Sequence, residues 1–238
     1  MKKIVLLLST CILFNYLQGQ VITQVGIKGG GLSTWLLNAN LMAGNSDTTY
    51  RFSTGYTVGA HFGLYFNKRT YYSHRMKGVQ FEVNYTNHRQ SYKSKTSTPV
   101  DFKYVWSLTY IDLGMYFQFM PSSDNGFYML VGPQYSILLN AQDKGYTEAI
   151  GLPRVSRDNN ITGKISAGNF QMVLETGQYF NSLKTPQLGY HIGLRASYGF
   201  TDITNPIRDS SPKPYYRNNT AYIGLVLGID LKSRNYYN

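Results

Sequence analysis

Cysteine is almost absent from this chain. The one residue is Cys11, inside an N-terminal apolar segment that reads as a leader. Without that segment no thiol remains, which excludes disulfides, thiol catalysis and cysteine-based zinc sites. Charge is also scarce: Asp, Glu, Lys and Arg make up 15% of the residues, against roughly a quarter in average soluble domains. Past the leader no run of about eighteen apolar residues occurs, so no helix is long and apolar enough to span a bilayer. Helical periodicity is weak, and there is no metal-spaced histidine cluster, phosphate loop or nucleophile elbow. Residues 29–31 are all glycine, but they lie in a strand pattern with no helix after them. They fit bends or close packing rather than a phosphate cradle. On this reading the chain has no catalytic, cofactor or metal set, and it is not read as an enzyme.

What is present begins with the leader. Lys2 and Lys3 precede the apolar segment Ile4–Phe14, and a short polar stretch follows to Gln20. Residues 1–20 read as a signal peptide and 21–238 as one domain. Thr10 is bulky for the residue before a lipidated cysteine, and the apolar run continues past Cys11, so a lipoprotein leader is disfavoured. Cleavage would remove two lysines from 23 basic residues against 12 acidic ones, taking the net charge from +11 to +9. The bases are scattered through turns rather than clustered on a helix. For an exported chain, outer-membrane lipid and lipopolysaccharide phosphates suit them better than nucleic acid.

Alternation with period two recurs along the rest of the chain. Tyr56, Val58, Ala60, Phe62 and Leu64 alternate with Thr57, Gly59, His61 and Gly63. Leu225, Leu227, Ile229 and Leu231 alternate with Val226, Gly228 and Asp230. Counting a glycine-rich first strand near Ile22–Leu36, eight such segments emerge, each roughly 10 to 15 residues, where a membrane strand needs about 9 to 11. The large apolar side chains of one face would overfill a narrow barrel, so they are expected to face lipid, with the small and polar face inward. Connections of roughly 16, 10, 11, 7, 28, 6 and 19 residues alternate long and short, as between outer loops and periplasmic turns. The expected architecture is all-β: an eight-stranded antiparallel up-and-down transmembrane barrel in a bacterial outer membrane, both termini periplasmic. The longest connection, 142–167, is expected to be a projecting loop.

The stretches Val25–Gly30, Leu108–Phe119, Gly126–Leu139 and Tyr198–Ile203 together resemble the PorT-like, porin-type outer-membrane barrel family of Bacteroidetes. Leu113-Gly114-Met115 stands where that family usually carries Ile-Pro-Leu after an acid such as Asp112. The resemblance implies a barrel without a catalytic set, and its link to protein secretion makes envelope secretion-machinery proteins one class of partner.

Strand parity sends Lys28, Glu82, Asp112, Glu175, Arg195 and Asp230 to the inner face. A narrow barrel leaves such charges little water, so they are expected to form a polar network that plugs the lumen. Three functions follow in order: a structural or interaction barrel, including an accessory of secretion; a small porin-like channel; and, last, a lipid-modifying enzyme, for which His88 and Ser91 at a rim are the sole hint.

Overall fold

The computed structural model describes residues 21–38, 48–66, 76–94, 100–119, 126–149, 152–185, 187–204 and 218–233. The leader reading, residues 1–20, falls outside them. Among the described residues ten strands follow in chain order: β1 (Val21–Asn38), β2 (Thr48–Arg51), β3 (Thr54–Phe66), β4 (Met76–Ser94), β5 (Val100–Phe119), β6 (Gly126–Ala149), β7 (Val155–Asn160), β8 (Gly168–Asn181), β9 (Leu188–Gly199) and β10 (Asn218–Lys232). A 3-10 turn, Thr162–Lys164, lies between β7 and β8.

All ten belong to one sheet, ordered β2-β4-β3-β1-β10-β9-β8-β6-β5. β7 is paired to β6, and β4 is also paired to β5. The expectation of eight strands is therefore corrected to a ten-stranded sheet. The two unforeseen strands, β2 and β7, lie in segments read as connections. Neither carries an apolar alternation, and β7 is exposed along its whole length. Pairing with the far ends of longer strands makes them: Thr48–Arg51 against Ser91–Ser94, and Val155–Asn160 against Gln142–Thr147. A strand with no buried face leaves no period-two hydrophobic signal, so only its neighbour's free backbone edge specifies it.

The same pairing corrects the loop expected at 142–167. β6 continues to Ala149, giving it 24 residues, and β5 runs with it for 20. Crossing the apolar layer takes about 9 to 11 residues, so β4, β5 and β6 project well past it, with β2 and β7 on their flanks.

The two faces have opposite chemistry. Outward stand Val25, Ile27, Phe81, Leu194, Leu225, Leu227 and Ile229, all exposed. Inward stand buried Gln, Asn, Thr, Ser, His and charged side chains. Such a distribution is inverted relative to a water-soluble sheet, and it fits lipid on the outside. Gly30 keeps β1 and β10 close: a Cβ there would lie 2.3 Å from the Leu225 carbonyl oxygen and 2.8 Å from Val226 Cγ1. Its neighbours Gly29 and Gly31 face outward and meet nothing nearer than 3.5 Å.

Leu227→Arg, on the outer face of β10, should lower unfolding stability in a bilayer by about 2–4 kcal/mol. Thr147→Arg, on the exposed projection of β6, should change it by less than about 0.5 kcal/mol. Urea midpoints of the two variants in lipid vesicles check this, and equal shifts would mean that lipid does not cover the outer face.

Candidate functional site: the sealed interior

The sheet curls so that inner-face side chains of strands that are not neighbours meet. Lys28 on β1 donates from Nζ to Glu82 on β4, and to Glu175 Oε2 on β8 at 3.1 Å. Arg195 on β9 donates from Nε to Glu175 Oε2 at 2.6 Å and from Nη2 to Glu82 Oε2 at 2.7 Å. Each carboxylate therefore sits between the same two cations, and all four side chains are at most 1% exposed. Register supplies half of the arrangement, since Glu175 and Arg195 are directly opposed across the β8–β9 ladder. The other acceptor sites are filled as well. Gln80 Nε2 donates to Glu82 Oε1 at 2.7 Å, Asn84 Nδ2 to Glu82 Oε2 at 3.0 Å, and Tyr128 Oη to Glu175 Oε1 at 2.8 Å.

Asp230 forms a second cluster. Its Oδ1 lies 2.6 Å from His61 Nε2, and its Oδ2 lies 2.9 Å from His191 Nδ1. Gly26 on β1 stands opposite both Asp230 and His61 in the ladders. A Cβ at position 26 would fall 2.3 Å from Asp230 Oδ1 and 2.5 Å from His61 Cε1. The missing side chain is what lets the β10 acid reach a β3 imidazole across β1. Asp112 stands apart from both clusters and accepts a hydrogen bond from Thr86 Oγ1 at 2.6 Å.

Of the six inner charges named from parity, Lys28, Glu82, Glu175 and Arg195 thus come together, Asp230 joins two histidines, and Asp112 pairs with a threonine. The sequence reading missed the roles of His61 and His191. Alternation put His61 on the small, polar face, and the signal that could have linked it to Asp230 is the glycine between facing strands. Two tyrosines, Tyr65 and Tyr179, line the same interior. Both are buried: Tyr65 Oη donates to Gln80 Oε1 at 3.1 Å, and the Tyr179 ring lies 4.2 Å from Lys232 Nζ.

A separate apolar layer closes the projecting end. Leu36, Leu108, Tyr110 and Ala141 from the strands pack with Ile161, Ile165 and Ile203 from the connections, and Trp106 and Leu138 flank them. The connection is tied down by Ile161 N donating to Ala141 O at 2.9 Å, Ala141 N to Thr162 Oγ1 at 2.9 Å, and Ser166 N to Ile203 O at 2.7 Å. Part of the segment expected to project is therefore a lid over the interior. Among the described residues no group of three or more His, Cys, Asp or Glu is set to hold a metal ion.

Residues 19–205 match the family described as outer membrane protein beta-barrel domain. The chain belongs to this family. It is an integral outer-membrane β-barrel protein, and the PorT-like assignment is finer than the match. No curated protein matches it. Among solved structures it is similar to Neisserial surface protein A, at 13% identity over 88% of this chain and 96% of that one, with a TM-score of 0.38. The attachment invasion locus protein Ail of Yersinia pestis, in complex with the heparin analogue sucrose octasulfate, gives 14% identity over 88% and 99% and a TM-score of 0.36. OprG of Pseudomonas aeruginosa gives 12% identity over 91% and 96% and a TM-score of 0.35.

For an outer-membrane barrel the interior cluster is a stability element with two-way dependence. A buried ion costs several kcal/mol unless paired, and removing one partner strands the others. Arg195→Met should therefore cost about 3–5 kcal/mol. Adding Glu175→Gln should return part of that loss, with a coupling of about 1 kcal/mol or more between the two positions. Urea unfolding of the singles and the double in detergent micelles checks this; additive effects would show that the pair does not act as a unit.

Proposed function

We propose that this barrel is an interaction scaffold rather than a solute pore. Its rim of β2 and β4–β7 is turned outward from the cell and its termini lie in the periplasm. The observation that carries the reading is the Lys28–Glu82–Glu175–Arg195 cluster. It ties β1, β4, β8 and β9 across the interior with side chains at most 1% exposed. A solute would have to break several charge-assisted bonds to pass, and then displace the apolar lid of Ile161, Ile165 and Ile203. With the interior filled, the surface left for a partner is the projecting sheet, a rigid base for binding segments. Serving as an accessory of protein secretion, in the manner of the PorT-like family, is the specific case of this reading. A small porin-like channel is its competitor.

Planar-bilayer recordings on the purified chain separate the two: no stepwise conductance is expected, and a reproducible discrete open level would overturn the scaffold reading. The rim is tested by replacing Leu152–Asn160 with a Gly/Ser linker of equal length, which spares the lid residues from Ile161 onward. The variant should stay heat-modifiable on detergent gels yet fail to complement a gene deletion. Full complementation would move the working surface away from β7.

A further inference from the structure

A second feature of the projecting sheet lies on its outer, convex face. There a groove of ≈ 410 Å³ is lined by Phe52, Arg89, Ser91, Ser107, Gln142 and Lys144, among others. Register assembles it. Arg89 faces Ser107 and Ser91 faces Val105 across β4–β5, while Ser107 faces Gln142 and Val105 faces Lys144 across β5–β6. Arg89 and Lys144 thus flank a floor of hydroxyls and an amide, about 12 Å apart, two strand spacings across and two residues along. Side chains of their length close such a gap from both sides.

Height gives the groove its meaning. The outward apolar series on β3 and β4 ends with Tyr56 and Tyr85, whose rings are 6.2 Å apart. Arg89 lies four residues beyond Tyr85 along β4 and two beyond the register position of Tyr56, roughly 7–13 Å along the strand and about 5–10 Å in height at ordinary barrel tilt. The headgroup zone extends about 5–8 Å beyond the hydrocarbon on each side, and long basic side chains reach back toward it. Phe52 is 74% exposed at the upper edge of the groove, next to the Arg51–Ser91 pair. The guanidinium of Arg89 has no hydrogen bond or ion pair among the described residues. Lys144 lies 3.4 Å from Asp158, but both side chains are more than half exposed, and such a pair is weak enough to be exchanged.

We propose that this groove binds the phosphate of a phosphate-bearing glycolipid in the outer leaflet. Arg89 and Lys144 take the phosphate oxygens, and Ser91, Ser107 and Gln142 hydrogen-bond the adjoining sugar. The inference rests on the outward orientation of the rim given above, but not on the sealed interior. A channel could carry the same groove, so a conductance result and a lipid result fail separately.

The test is native mass spectrometry of the full chain released from nanodiscs that contain either bisphosphorylated lipid A or the same lipid with its phosphates removed. Wild type should retain the phosphorylated lipid about tenfold or more over the dephosphorylated one. The double variant Arg89→Gln/Lys144→Gln should lose that preference. The charge-keeping Arg89→Lys/Lys144→Arg and the outer-face control Lys103→Gln should keep it. Equal retention of the two lipids by wild type would overturn the proposal, and so would an unchanged preference in the double variant. Displacement of the lipid by millimolar inorganic phosphate would identify a free-anion site and overturn the lipid assignment. If the double variant fails to fold, the wild-type comparison of the two lipids decides alone.

Discussion

Four charges have to neutralise one another inside this sheet, because lipid outside and a narrow interior leave no bulk water to do it. Lys28, Arg195, Glu82 and Glu175 meet that requirement reciprocally, each cation touching both acids. Such a set tolerates no vacancy, since any one member removed leaves an uncompensated ion in a medium where that costs several kcal/mol. It also fixes geometry. The four side chains come from β1, β4, β8 and β9, so their mutual distances set how tightly the sheet can curl and which inner residues share a level.

Space for that set and its neighbours comes from glycine. The inner face holds large side chains that lie across adjacent strands rather than pointing to the centre, and a Cβ beneath them would collide. Gly26 admits the His61–Asp230 contact, and Gly193 lies under the Tyr128 hydroxyl, where a Cβ would fall 2.4 Å from Oη. Tyr128 in turn donates to Glu175. The glycines are thus as much a part of the charge network as the ions are. The apolar lid at the projecting end uses different chemistry for a similar outcome. Ile161, Ile165 and Ile203 bury against Leu36, Leu108 and Tyr110, where the hydrophobic effect, not pairing, keeps the interior closed.

Beyond the membrane-spanning layer the sheet changes character. β4, β5 and β6 keep pairing where β3 and β8 have ended, and the freed edges of β4 and β6 are taken by β2 and β7. The projection is stiffened by Arg157 on Asp143 at 2.6 Å and by the Arg154 guanidinium 3.5 Å from the Tyr146 ring centroid. It offers an inner face where the Tyr92 ring touches those of Tyr104 and Trp106 and an outer face carrying Arg89 and Lys144. A rigid platform of this kind holds binding groups in place at little entropic cost.

The sequence alone determined the spanning strands, which face of each meets lipid, and which charges point inward. Period-two alternation is a local property: once Leu225, Leu227 and Ile229 are on one side, Val226, Gly228 and Asp230 must be on the other. The tertiary structure alone decided the strand count, the partners of the inner charges and the fate of the longest connection. β2 and β7 exist because another strand's edge was free, and no pattern within Thr48–Arg51 or Val155–Asn160 encodes that edge. Asp230 meets His61 because β10 and β3 both flank Gly26, a relation set by register across three strands. Ile161 and Ile165 are lid rather than loop because the mouth they cover is built from β1, β5 and β6. Alternation can be read along one strand, whereas pairing, register and closure are relations between distant segments, and they form only when the chain folds.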